Sequence, residues 1–337
     1  MNHLRARSAP SGSMAAVPPA AASFADAWLR AASGGDGFWT TTVPSDHFRT
    51  ASTLGPELAQ AVAGLLADRP GLRRVLELGA GDGRLLADLR ALRPDLALTG
   101  VDLRGRPAHV DPTIHWRTDR WDVRRDTWTS GAVPALLAEE VPTLVLAVEW
   151  LDDLPCKLAA PAGDGWRELD ADLVPADPLG GADLAWVQRW WPTGDQVEVG
   201  RTRDAAWAAV LRGLAAGGGA ALLVDYGHRR ADRPRAGSLA AFRAGRAVEP
   251  RPLADRNLTA HVAVDAVAAA GTAAGGRTVL AGRQESTLPG LLPPVPGEAD
   301  PLTALAARSR RRALTAAAGW GGHHWLLQEV AAGAVAT

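Results

Sequence analysis

Cysteine, lysine and tyrosine are nearly missing from this 337-residue chain, which has one of each, at positions 156, 157 and 226. A lone Cys156 excludes an internal disulfide and a cysteine-based zinc cluster, and it fits a reducing, cytoplasmic compartment. No metal centre is expected. No apolar stretch reaches the eighteen or so residues needed to span a bilayer, so no membrane partner is expected either. The formal net charge is −1, without the basic excess of a surface tuned to nucleic acid. Arginine clusters exist at Arg229, Arg230, Arg233 and Arg235, and at Arg308, Arg310, Arg311 and Arg312. They lack interleaved aromatics and read as solvated faces. No internal repeat is present. Oligomeric state has no signature.

Apolar residues make up 47% of the chain, which marks a globular protein with ample length for a core. Residues 1–22, broken by Pro18 and Pro19, read as a flexible tail rather than an export signal. The rest, 23–337, reads as one domain with a helical or lid-like segment at 23–70. Phe24–Ala32 is expected to be a short helix and Gly34–Ser45 a loop. Leu54, Leu58, Val62, Leu65 and Leu66 recur at helical spacing, which Pro56 permits only in a first turn.

Strands and helices then alternate. Arg73–Leu78, Ala97–Asp102, Thr113–Arg117, Thr143–Val148 and Ala220–Tyr226 read as strands; Gly83–Arg93, Ala132–Glu139 and Ala205–Ala216 read as helices. Such alternation implies an α/β, Rossmann-like domain with a mainly parallel sheet, about seven strands, and helices on both faces. Arg277–Ala281 and His323–Val330 would add a terminal antiparallel pair. Cys156–Gly200 breaks the rhythm and reads as a substrate-side insertion, with a hairpin at Gly163-Asp164-Gly165. Trp190 and Trp191 on it are either core or a docking surface. Arg229–Arg235 and Pro289–Pro296 read as loops.

The chemistry starts at VLELGAGDGRLL, residues 75–86. A strand that ends in a glycine turn and opens a helix aims main-chain N–H groups at a ligand, and glycine permits both close approach and positive φ. Gly79, Gly81 and Gly83 are spaced G-x-G-x-G, with Arg84 where a dinucleotide fingerprint has its third glycine. Glu77, inside the strand end, suits a cofactor carrying positive charge near the turn. Asp102, ending the next strand, can accept from both ribose hydroxyls. S-adenosylmethionine, with an ammonium and a sulfonium, fits that set. A dinucleotide site and a purely structural turn are the other readings. Asp82 is a helix N-terminal acid.

The pattern E-x-G-x-G-x-G with a strand-end acid resembles class I S-adenosylmethionine-dependent methyltransferases. Four further segments are similar to the MidA-like family among them, which includes mitochondrial complex I assembly factors. These are His47-Phe48-Arg49-Thr50-Ala51, Glu149-Trp150-Leu151-Asp152-Asp153-Leu154-Pro155, Asp225-Tyr226-Gly227 and Asn257-Leu258-Thr259-Ala260-His261-Val262. The chain departs from the family pattern at three places. Val148 stands for an asparagine, Asp153 for an alanine and Asn257 for an aspartate.

The resemblance implies protein arginine methylation with a protein substrate. Glu149 and Asp152 could then pair on a guanidinium, and His261 could face the substrate channel. The other readings are an N-cap for Asp152, a loop or cofactor contact for Glu149, and a core or cap residue for His261. Thr50 could touch the cofactor or serve as a cap, and Asp119 lies where adenine contacts are usual or is exposed. Trp150 reads as wall. The N-P-P-Y signature of base methyltransferases is absent after the fourth strand. Alternative functions are a small-molecule O- or N-methyltransferase, or a non-catalytic assembly factor retaining the fold.

Overall fold

The structure is a computed structural model that describes residues 22–42, 50–163, 165–295 and 301–334. The tail at 1–21, the segment His47–Arg49, Asp164 and Pro296 lie outside the described residues. Seven strands form the central sheet: β1 (Arg74–Leu78), β2 (Ala97–Asp102), β3 (His115–Thr118), β4 (Thr143–Val148), β5 (Gly219–Asp225), β6 (Arg277–Arg283) and β7 (His324–Val330). Their spatial order is β6-β7-β5-β4-β1-β2-β3. All neighbours from β5 to β3 are parallel, and β7 is antiparallel to both β5 and β6. The strand order reverses beside β1, so the crevice between β1 and β4 opens at their carboxyl ends.

Period-two alternation sends opposite residues of each strand to opposite cores. Val75, Leu144, Leu146, Leu222 and Val224 pack under α2 (Glu57–Ala67) and α3 (Arg84–Leu92). Leu76, Leu78, Val145, Ala147 and Leu223 pack against α4 (Ala132–Ala138), α5 (Arg201–Leu214) and α6 (Val264–Ala273). Both faces are thus covered, as buried parallel strands require. No helix among the described residues is long and apolar enough to cross a membrane.

The segment after β4 builds its own antiparallel sheet, in the order Val197–Val199, Lys157–Ala162, Gly165–Leu169, Pro175–Pro178. Phe24 and Trp28 of α1 (Phe24–Ser33) pack on Leu158 and Leu169 of that sheet, so this helix caps the insertion.

Several expectations need correction. The stretch 34–45 contains a short helix, Phe38–Thr41. Leu54 ends a separate short helix, Ala51–Leu54, and Pro56 is the N-cap of α2. Pro289 lies inside α7 (Gln284–Leu291), not in a loop. Tertiary contacts hold that helix: Gln284 accepts from Trp325 Nε1 at 2.9 Å and donates to Leu314 O at 2.9 Å. Trp191 is 1% exposed and belongs to a core with Trp186, so it offers no docking surface. The arginine clusters are only partly solvated. Arg233 is buried against Asp265 at 2.6 Å, and Arg310 of α8 (Pro301–Leu314) pairs with the buried Glu57 at 2.8 Å.

Candidate active site

The turn after β1 takes the backbone the glycines were expected to supply. Gly79, Gly81 and Gly83 have φ of +66°, +58° and +74°. A Cβ on Gly79 would sit 2.8 Å from Trp150 Cδ1, and one on Gly83 2.7 Å from Val110 Cγ2. Gly81 has room, and there only the left-handed backbone demands glycine. Two bonds tie the turn to β2: Ala80 N–H to Val101 O at 3.0 Å, and Gly81 N–H to Asp102 Oδ2 at 2.9 Å. Asp82 Oδ1 accepts the Arg84 N–H at 3.0 Å and starts α3.

Around this turn lies a cavity of about 410 Å³. Thr50, Glu77, Gly79, Gly81, Asp102, Asp119, Glu149, Asp152 and His261 all line it, so nearly the whole expected set is brought together. Gly83 is not on its wall; it shapes the turn from behind. Asp225, expected to converge there, is fully buried beneath the floor, its Oδ2 accepting from Leu151 N at 2.9 Å and Asp152 N at 3.3 Å.

Glu77 is 5% exposed, and its Oε2 has no hydrogen-bond partner among the described residues. Burial, then the nearby Asp82 and Asp102, push its pKa well up. A buried carboxylate in this state lacks a cation, and a cationic ligand beside the glycine turn would supply it. Asp102 keeps a place for a hydroxyl: among the described residues Oδ2 accepts only the Gly81 N–H, while Oδ1 accepts the Arg104 N–H and is approached by Arg104 Nε at 3.4 Å, and a carboxylate has about four acceptor sites. These features fit S-adenosylmethionine at the β1–β2 side of the cavity.

Asp119 and Thr50 line the cavity while also bracing main chain. Asp119 accepts from Arg120 N, Ser130 N and Val133 N, at 2.9, 2.9 and 3.1 Å. Burial pushes its pKa up, but those amides outweigh it and the net shift is downward. Thr50 N–H donates to Thr53 Oγ1 at 3.0 Å, a cap for Ala51–Leu54.

On the β4 side, Glu149 sits in left-handed backbone with φ +48°. Its N–H reaches Val224 O at 2.8 Å, and its Oε1 accepts the Ala51 N–H at 2.8 Å. That backbone turns the side chain from the strand direction into the cavity. Burial pushes its pKa up to about 8 against the opposing Ala51 amide. Asp152 is buried, with Oδ2 accepting from Thr259 Oγ1 at 2.7 Å and Oδ1 without a partner among the described residues. His261 is exposed at the cavity wall, its ring stacked on that of Tyr226 with centroids 5.7 Å apart.

Sequence reasoning missed two residues here. Arg203 of α5 is 1% exposed and, among the described residues, donates only to main-chain carbonyls: Leu154, Ala260, His261 and Asp152, at 2.8 to 3.2 Å. It clamps the Glu149–Pro155 loop to the Asn257–His261 segment. A buried arginine without a carboxylate partner leaves no pattern in a sequence. His323 is fully buried, with Nε2 3.7 Å from Glu149 Oε1. Burial pulls its pKa down to about 3, so the contact is between a neutral ring and a carboxyl group, not an ion pair.

Comparison with known proteins agrees with this geometry. Residues 102–281, just over half of the chain, match the Methyltransf_28 family of S-adenosyl-L-methionine-dependent methyltransferases. The chain is 27% identical over 218 residues to the mitochondrial protein arginine methyltransferase NDUFAF7 of Danio rerio. That match covers 51% of this chain and spans about half the relative's length, 50%. A COG1565 superfamily structure from Burkholderia thailandensis, bound to S-adenosylhomocysteine, superimposes with a TM-score of 0.71 at 22% identity. It covers 92% of this chain and 88% of that one. A second structure of that superfamily, from the same organism, gives 0.71 at 25% identity over 92% and 87%.

Proposed function

The chain belongs to this family of S-adenosyl-L-methionine-dependent methyltransferases, and from that premise we propose that its methyl acceptor is the guanidinium of an arginine on another protein. The observation that carries this reading is the gathering of Glu149 and Asp152 on the same cavity as the glycine turn. Two carboxylates at one end match the planar fork of an arginine, which arrives charged. The Danio rerio relative's name, a protein arginine methyltransferase, supports the same acceptor.

S-adenosylmethionine supplies an electrophilic methyl group on a sulfonium that departs as a neutral thioether. A guanidinium nitrogen that accepted this methyl group would have to release one proton. On this reading Glu149 would receive it, and a pKa of about 8 in the cofactor-free site suits transfer close to neutrality. Alignment of nitrogen, methyl and sulfur in a closed cavity contributes the larger share, up to roughly 7–11 kcal/mol. On this reading Thr50, Glu77, Asp102, Asp119 and the glycine turn face the cofactor. Asp152 and His261 face the acceptor.

The test is methyl-labelled cofactor incubated with cell protein, followed by acid hydrolysis and amino-acid analysis. Label in methylarginine is expected. Label confined to small molecules would replace this acceptor with a metabolite.

A further inference from the structure

The carboxylates of this cavity are not equally free. Glu149 gives Oε1 to the Ala51 amide, and Asp152 gives Oδ2 to Thr259 while its Oδ1 is buried. Asp153 differs. It is half-buried on the cavity wall, its Oδ1 accepts from Asn257 Nδ2 at 3.2 Å, and its Oδ2 has no hydrogen-bond partner among the described residues. Asn257, 6% exposed on the same wall, has a buried Oδ1 that no donor reaches among the described residues. A buried amide oxygen without a donor costs roughly 1–3 kcal/mol, and a ligand N–H would remove that cost.

We infer that Asp153 and Asn257 form the specificity-determining pair for the acceptor, Asp153 meeting its positive charge through Oδ2 and Asn257 orienting that carboxylate while taking a second N–H on Oδ1. This rests on the reading of a cationic acceptor in the cavity. An open acceptor on each of two hydrogen-bonded side chains suits a group with several N–H bonds in one plane better than a compact ammonium. Charge points the same way. Burial first, then Asp152, push the Asp153 pKa well up against the opposing charge of Arg203, whose donors go to main-chain carbonyls. The two residues are also two of the three places where the chain departs from the motifs it resembles. Sequence separation hid their contact, since they stand 104 positions apart in the chain.

The experiment titrates ethylguanidinium, with n-propylammonium for comparison, into the full chain saturated with S-adenosylhomocysteine, read by ligand-observed NMR. The wild-type protein is expected to prefer ethylguanidinium. Asp153→Asn and Asn257→Leu should each weaken it about tenfold or more and erase the preference, with S-adenosylhomocysteine affinity unchanged. If Asp153→Asn loses the cofactor through misfolding, Asn257→Leu carries the same readout. Wild-type affinity in both variants would overturn the pair's role while leaving the arginine reading intact. A wild-type protein that binds S-adenosylhomocysteine but not ethylguanidinium would overturn both.

Discussion

Glu149 concentrates the residue-scale argument, because its backbone is left-handed and its side chain is pressed to one amide. A non-glycine residue there costs roughly 1–2 kcal/mol. Glu149→Gln should lower kcat about a hundredfold or more, with S-adenosylhomocysteine affinity within a few-fold. Equal loss of both would make Glu149 a cofactor contact. Its proton also couples to stability. The folded carboxyl titrates at about 8 against an ordinary 4.5, so between those values the folded state holds a proton that the unfolded state has released. Cofactor-free protein should therefore lose stability as pH rises from about 4.5 to about 8, at up to about 1.4 kcal/mol per pH unit from this group. Denaturant titrations across that window should show a shallower slope for Glu149→Gln, and identical slopes would refute the assignment. Gly79→Ala should abolish cofactor binding and cost about 1–2 kcal/mol, since it meets both a positive φ and the Trp150 ring.

At the scale of elements, the site depends on two loops being held in register. Arg203, from the first turn of α5, holds both through four carbonyls. Arg203→Met keeps much of the side chain's volume but strands those carbonyls. It should cost about 3 kcal/mol or more, with amide exchange rising first at 257–261. Protection unchanged at 257–261 would mean the loops hold themselves. Elements legible in the sequence were those whose own pattern sufficed. Thr143–Val148 and Ala97–Asp102 read correctly because buried parallel strands are nearly continuous apolar runs. The start of α5 at Arg201 and the passage of α7 through Pro289 were hidden, because distant contacts decide them. Gly79–Gly83, Glu77 and Asp102 were legible as a group because turn, strand end and ligand charge are all local. The Asp153–Asn257 contact, the Arg203 clamp and the buried His323 were not, because each joins segments far apart in the chain.

For the whole molecule, the sheet's reversal between β1 and β4 puts the glycine turn and the Glu149–Asp153 loop on one cavity. Ligand occupancy should be felt globally. At a hundredfold excess over its Kd, S-adenosylhomocysteine should stabilise the fold by about 2.7 kcal/mol, seen as a raised Tm. The decisive measurement is a crystal structure of the chain with S-adenosylhomocysteine. The account predicts the ribose on Asp102, the ligand's main body against Gly79–Gly81, its ammonium within reach of Glu77, and its sulfur turned toward Glu149. A ligand lodged elsewhere, or one whose sulfur faces away from Glu149 and Asp152, would contradict it.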